Sequence, residues 1–327
     1  MTYDFSSLLV VIIVMFLMLV IGFFSRKIGW IDDVASKRLS TLIIKIGQPM
    51  MIVDALINVE YSNENLKKGL LILGIGFFLH FLMALIAFPL CMPYKDLNER
   101  KITEFSLIFT NCGFIGLPIL GAIFGDIGKF YGAFYLISFN IFMYIWGLMI
   151  LGRKREDIRM TPKKALINFG SVPCVIGVVL YLLRNPALQI PFIGPGSVID
   201  QAFLMLLEKL AALCLPISVL ITGALLATRT ARQLFCSGKI YLFSLFKLIL
   251  IPALAFIICK LLGFSDDIVM FSTAVTALPT ASIITMFSET YDISPGYASQ
   301  TVGVSSMLCL VTLPLMLTLA DKVLQIW

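Results

Sequence analysis

Ile108-Phe-Thr-Asn-Cys-Gly-Phe-Ile-Gly-Leu-Pro-Ile119 lies inside a charge-free window, Phe105–Gly125, that is long enough to cross a bilayer. The same window holds the residues least compatible with a continuous helix. Pro118 has no amide hydrogen to donate and clashes with the carbonyl four residues back, at Phe114, while Gly113 and Gly116 weaken the same turn. Backbone groups released in hydrocarbon must be met by protein or by a hydrated cavity. The stretch therefore reads as a broken membrane span beside a buried polar site, with Thr110 and Asn111 next to the break.

The rest of the chain agrees with a membrane setting. Of 327 residues, 59% are hydrophobic and 13% charged, against roughly 25% charged in soluble proteins, which excludes a water-soluble domain. Further charge-free windows run over Phe5–Ser25, Phe130–Gly152, Ala165–Leu183, Leu210–Thr228, Ile268–Ser288 and Ile293–Ala320. Gly69–Tyr94 carries only His80, Leu39–Val59 carries Lys45 and Asp54, and Ile240–Leu262 carries Lys247 and Lys260. These windows make ten spans. The N-terminal segment has no basic leader region and is followed by Arg26 and Lys27, so it reads as a retained first span.

The net charge of +6 is a topology signal and not a nucleic-acid footprint. Of the 25 Lys and Arg residues, 16 fall in the loops after spans 1, 3, 5, 7 and 9, and 6 fall on the other side; Lys45, Lys209 and Lys247 lie in or near spans. Both termini are expected outside, and the basic connector 153–164 in the cytoplasm.

That connector divides the chain into a first five-span unit, 1–152, and a second, 165–327. An odd number of spans per unit requires the two to insert in opposite orientations. Pro49 and Pro216, Pro118 and Pro279, and Tyr131 and Tyr297 stand 167, 161 and 166 residues apart, the spacing of an internal repeat. In the ninth span, Thr276, Thr280 and Ser282 flank Pro279 as Thr110 and Asn111 flank the fourth-span break. The expected fold is an all-α polytopic membrane protein with ten transmembrane helices as two inverted five-helix repeats. Broken spans 4 and 9 cross near the midplane, each presenting a half-helix N-terminus with free amides to an anion, with no fixed charge needed. The plainer alternative is that each proline only kinks a packed helix.

Ionisable residues inside spans are costly and often functional. Lys45 and Lys247 are both expected to snorkel to the interface, Asp54 to be structural near the outer end of its span, Glu208 and Lys209 to be interfacial, and His80 to be packed. With one histidine there is no zinc or nucleophile–histidine–acid set, and no phosphate-binding loop for ATP is present. The seven cysteines contain no C-x-x-C pair, so neither a disulfide framework nor a metal site is expected. No cofactor and no enzyme activity are expected.

Asn111-x-Gly113-Phe-x-Gly116-x-Pro118, the Leu278-Pro279 break, ten spans and the basic mid-chain connector resemble the auxin efflux carrier family of plant auxin carriers and bacterial permeases for malate and malonate. The resemblance covers essentially the whole chain. It implies an inverted-repeat fold related to the sodium/bile-acid symporters, with spans 1, 2, 6 and 7 as scaffold and spans 3–5 and 8–10 as a moving, elevator-like unit. It also implies a carboxylate site at the crossover and a homodimer through the scaffold. Leu278-Pro279-Thr280 departs from the Asn-Pro-Asn pattern of the plant carriers, which favours a small bacterial substrate, and the short connector points to the bacterial cytoplasmic membrane. The expected function is secondary transport of a small organic anion such as malate, with Thr110, Asn111, Gly113, Gly116, Pro118, Thr276, Pro279, Thr280 and Ser282 as the substrate site. The alternative is a sodium-coupled symporter holding Na⁺ on freed carbonyls and the hydroxyls of Thr280 and Ser282.

Overall fold

The computed structural model describes residues 5–155, 158, 170–185, 198–230 and 237–326. Among them every regular element is helical: α1 (Phe5–Lys27), α2 (Asp33–Ile57), α3 (Asn63–Leu90), α4 (Leu97–Ile108), α5 (Cys112–Phe124), α6 (Asp126–Leu151), α7 (Ser171–Leu183), α8 (Val198–Ala227), α9 (Gly238–Leu261), α10 (Asp266–Thr276), α11 (Ile283–Thr290) and α12 (Pro295–Ile326). Seven of these, α1, α2, α3, α6, α8, α9 and α12, are long and apolar enough to cross a membrane; α5 and α7 are shorter apolar helices. The expected connector, apart from 153–155 and 158, lies outside the described residues, as does 165–169.

Helix starts follow local chemistry. The Asp32 carboxylate accepts from the Ala35 amide at 2.6 Å, Ser62 Oγ from Asn65 at 3.0 Å, and Asp96 from Asn98 and Glu99 at 2.8 Å each. Each side chain meets a first-turn amide that has no partner within its helix.

Prolines inside the apolar helices are absorbed, not broken upon. Pro49, Pro118 and Pro252 each stand two residues after a five-residue π-helical turn: Ile43–Gly47 in α2, Cys112–Gly116 in α5 and Phe246–Leu250 in α9. The widened turn displaces the carbonyl that the ring would strike, so the helix continues. The expectation that Pro118 breaks its span is therefore corrected. The interruption lies upstream, at residues 109–111, and Pro118 opens the regular part of α5.

Two features tie the bundle together. The backbones of α1 and α8 touch at Gly22 and Gly223: a β-carbon on Gly22 would overlap the Leu220 carbonyl oxygen, and one on Gly223 the Leu19 carbonyl oxygen. At the end of α6, Arg153 makes a two-pronged ion pair with Glu104 of α4, at 2.5 and 2.6 Å, although Glu104 is only 1% exposed. On the outside, Leu9, Val10, Ile13, Phe16 and Leu17 of α1 and Val311, Leu315 and Leu319 of α12 are exposed, as a lipid-facing surface requires.

Candidate functional site

Between α4 and α5 the chain becomes extended: Phe109 has φ −96° and ψ 119°. A second interruption separates α10 from α11 across Ala277–Ser282. The two extended pieces run antiparallel and pair through Thr110 and Thr280. The Asn111 amide donates to the Pro279 carbonyl at 2.8 Å, and the Ala281 amide donates to the Phe109 carbonyl at 3.0 Å.

Further backbone groups at the two interruptions are met by side chains. Thr280 Oγ1 donates to the Ser106 carbonyl at 3.4 Å and Lys247 Nζ to the Leu107 carbonyl at 2.8 Å. The Thr280 amide donates to Ser305 Oγ at 3.3 Å, and Cys309 Sγ donates to the Ala277 carbonyl at 3.6 Å. An interrupted helix inside hydrocarbon needs such compensation.

The two half-helix N-termini are unequal. In α5 the first intrahelical bond runs from the Gly116 amide to the Asn111 carbonyl at 2.9 Å, so the amides of residues 112–115 precede it. In α11 a tighter turn closes sooner, with Ile284 donating to Ala281 at 3.2 Å and Thr285 to Ser282 at 3.1 Å. The α5 end offers the larger positive dipole terminus.

Four of the nine expected residues, Thr110, Asn111, Gly113 and Ser282, line a cavity of about 40 Å³ beside this terminus. Asn111 is 3% exposed and donates from Nδ2 to Ser282 Oγ at 2.9 Å, while Thr110 Oγ1 is buried without a partner. The other five are not part of that lining. Gly116 leaves room for Leu278, whose Cδ1 would lie 2.6 Å from a β-carbon there. Pro118 begins a helical turn, Pro279 and Thr280 form the ribbon, and the Thr276 hydroxyl donates back to Ser272 and Thr273 within α10. The lining also includes Gln48 and Asn140, which sequence reasoning missed. Their signals were faint: a polar residue before Pro49, and an isolated amide in the apolar run of α6.

Of the ionisable residues singled out in the spans, Lys247 departs from expectation. Lys247 does not snorkel: it is 0% exposed, its ammonium turned inward onto Leu107. Lys45 is exposed on α2, and Glu208 and Lys209 are exposed at 3.8 Å from each other. Asp54 accepts from Asn58 at 2.8 Å, and the buried His80 lies 2.6 Å from the Gly76 carbonyl and 5.0 Å from the Tyr135 ring.

About 40 Å³ is room for one or a few waters, too little for an organic acid in this conformation. A second space of about 30 Å³ shares Ile44, Phe114, Ser282 and Ile283 with the first. It shares Ser40, Ile221, Leu225, Thr285 and Met286 with a mouth of about 360 Å³ that opens beside Asp33, Lys37 and Glu289. The first space is bordered by α2, α5, α6 and α11, and the other two by α2, α8 and α11.

The family model described as "Membrane transport protein" matches residues 7–317. An uncharacterized transporter of Methanocaldococcus jannaschii is 20% identical over 310 residues, which cover 93% of this chain and 96% of that protein.

Proposed function

The chain belongs to the membrane transport protein family, and from that premise we propose that it is a secondary transporter of a small organic anion, a mono- or dicarboxylate such as malate. We place it in the bacterial cytoplasmic membrane, as ten spans in two inverted five-span repeats, with α4–α5 and α10–α11 as the interrupted fourth and ninth spans. The observation that carries this reading is the cavity at the N-terminus of α5, lined by Thr110, Asn111, Gly113 and Ser282 where two interrupted helices meet.

A carboxylate entering that space accepts hydrogen bonds from the first-turn amides of α5 and from Asn111. Charge-assisted bonds to backbone amides are the stronger kind, and they need no lysine or arginine in the lining. The ribbon fastens α5 to α11, so a rigid movement of one carries the other. In the elevator cycle we envisage, α1, α2, α7 and α8 stay in place, held in part by the Gly22 and Gly223 contacts. The crossover then shuttles the anion past them, and we take the cavities toward Lys37 as its cytoplasmic exit.

The test is a thermal-melt panel of detergent-purified protein against malate, malonate, lactate, pyruvate and indole acids, followed by uptake of the stabilising acid into proteoliposomes. A carboxylate should raise the melting temperature and show saturable uptake with counterflow. No response to any acid, or non-saturating flux, rejects the reading.

A further inference from the structure

The least expected group at the crossover is a lysine. Lys247 sits in the π-helical turn Phe246–Leu250 of α9, is 0% exposed, and donates from Nζ to the carbonyl of Leu107 at 2.8 Å. Leu107 is the penultimate residue of α4, and the last carbonyls of a helix have no partner within it and form the negative end of its dipole. The neighbouring Ser106 carbonyl is covered by Thr280 from the other interrupted helix. A full charge buried in the core is costly unless something of opposite sign holds it. Here the recorded partner is a carbonyl and not a carboxylate. Freed carbonyls and hydroxyls at an interrupted helix are also the surroundings in which a transporter binds a metal cation. Among the described residues no group of three or more His, Cys, Asp and Glu side chains stands ready to bind a metal.

We propose that the Lys247 ammonium is a built-in cation. It stands on the carbonyl end of α4 where a co-transported Na⁺ would stand, and the carrier consequently works without a metal-ion partner. This rests on the reading of the crossover as the cargo site, and adds to it the identity of the coupling: none by Na⁺. The covalent tether explains the geometry, because the stem reaches from α9 through packed core to a carbonyl of the other half of the chain, and an ammonium cannot be released at each cycle.

The experiment uses the full chain purified in detergent and melted at equal ionic strength in sodium chloride or choline chloride. Wild type should melt at the same temperature in both. Lys247→Ala should melt lower and be raised by n-propylammonium chloride, which replaces the three carbons and the ammonium removed, but not by choline. Lys247→Met, which refills the space without charge, should not respond to propylammonium. A sodium-specific rise in wild type, or a Lys247→Ala protein unmoved by propylammonium, overturns the proposal. Should neither variant be purifiable, the wild-type comparison decides: equality supports it, a sodium rise overturns it. No cargo is added, so a failure to transport any acid would reject the proposed function and leave this result standing.

Discussion

The amide of Asn111 lies 2.8 Å from the carbonyl of Pro279, so two segments far apart in sequence are joined through their backbones. The side chain of Asn111 is thereby free for a different task, its Nδ2 facing Ser282 at the cavity.

Asn111→Ala should separate these two roles. The ribbon survives, and the melting temperature changes little. Loss of one hydrogen bond to a charged group, about 1.5–3 kcal/mol, should weaken anion affinity by about 10- to 100-fold. Radiolabelled malonate or malate uptake into proteoliposomes measures it, and unchanged transport removes Asn111 from the site.

Gly113 and Gly116 should respond differently to the same substitution. A β-carbon at 113 meets Gln48 at 3.6 Å and Leu136 at 3.7 Å, ordinary contact distances, so Gly113→Ala should fold normally and lose transport by narrowing the cavity. At 116 it meets Leu278 at 2.6 Å and the Asn111 carbonyl at 3.2 Å. Gly116→Ala should therefore lower the melting temperature, by the roughly 1–3 kcal/mol typical of overpacking. Equal melting temperatures for the two variants would contradict this placement.

Arg153→Ala should strand the buried Glu104 carboxylate. Removing one partner of a buried pair costs about 3–5 kcal/mol; Arg153 is itself about one-third exposed, so the lower end is expected. Adding Glu104→Gln to Arg153→Ala should restore part of the lost stability. Thermal melts of the two single variants and the double variant decide it.

Thr285→Cys, made in a Cys236→Ser background, should report the exit route. Thr285 lines both the second space and the mouth, while Cys91, Cys112, Cys174, Cys214, Cys259 and Cys309 are all buried. A membrane-impermeant maleimide should label the new thiol in inverted vesicles and not in right-side-out ones. Labelling only from the opposite face would reverse the orientation drawn from the Lys and Arg distribution.

The seven long apolar helices were legible because lipid imposes a simple rule: α3 is one long apolar run whose start at Asn63, six residues before the expected Gly69, is fixed by the Ser62 cap. The existence of two interruptions was legible as well, but not the position of the first. Pro118 suggested a break where a π-helical turn absorbs the ring. Phe109–Asn111, with no proline and no glycine, is extended because residues 279–281 lie alongside it. That cause is tertiary and leaves no local trace. Lys247 was misread for the same reason. A lysine two turns into an apolar helix looks alike whether its stem reaches toward water or toward the Leu107 carbonyl, and only packing tells the two apart. Gln48 and Asn140 reach the cavity from helices distant in sequence, so no spacing rule could group them with Asn111.

The smallness of the space beside Asn111 has a physiological consequence. In the carrier we propose, a space with room for only one or a few waters is too small for a solvated ion to pass unescorted. On the proposed function, an idle carrier would then leak little, and passage would wait for a fitting acid to open the space.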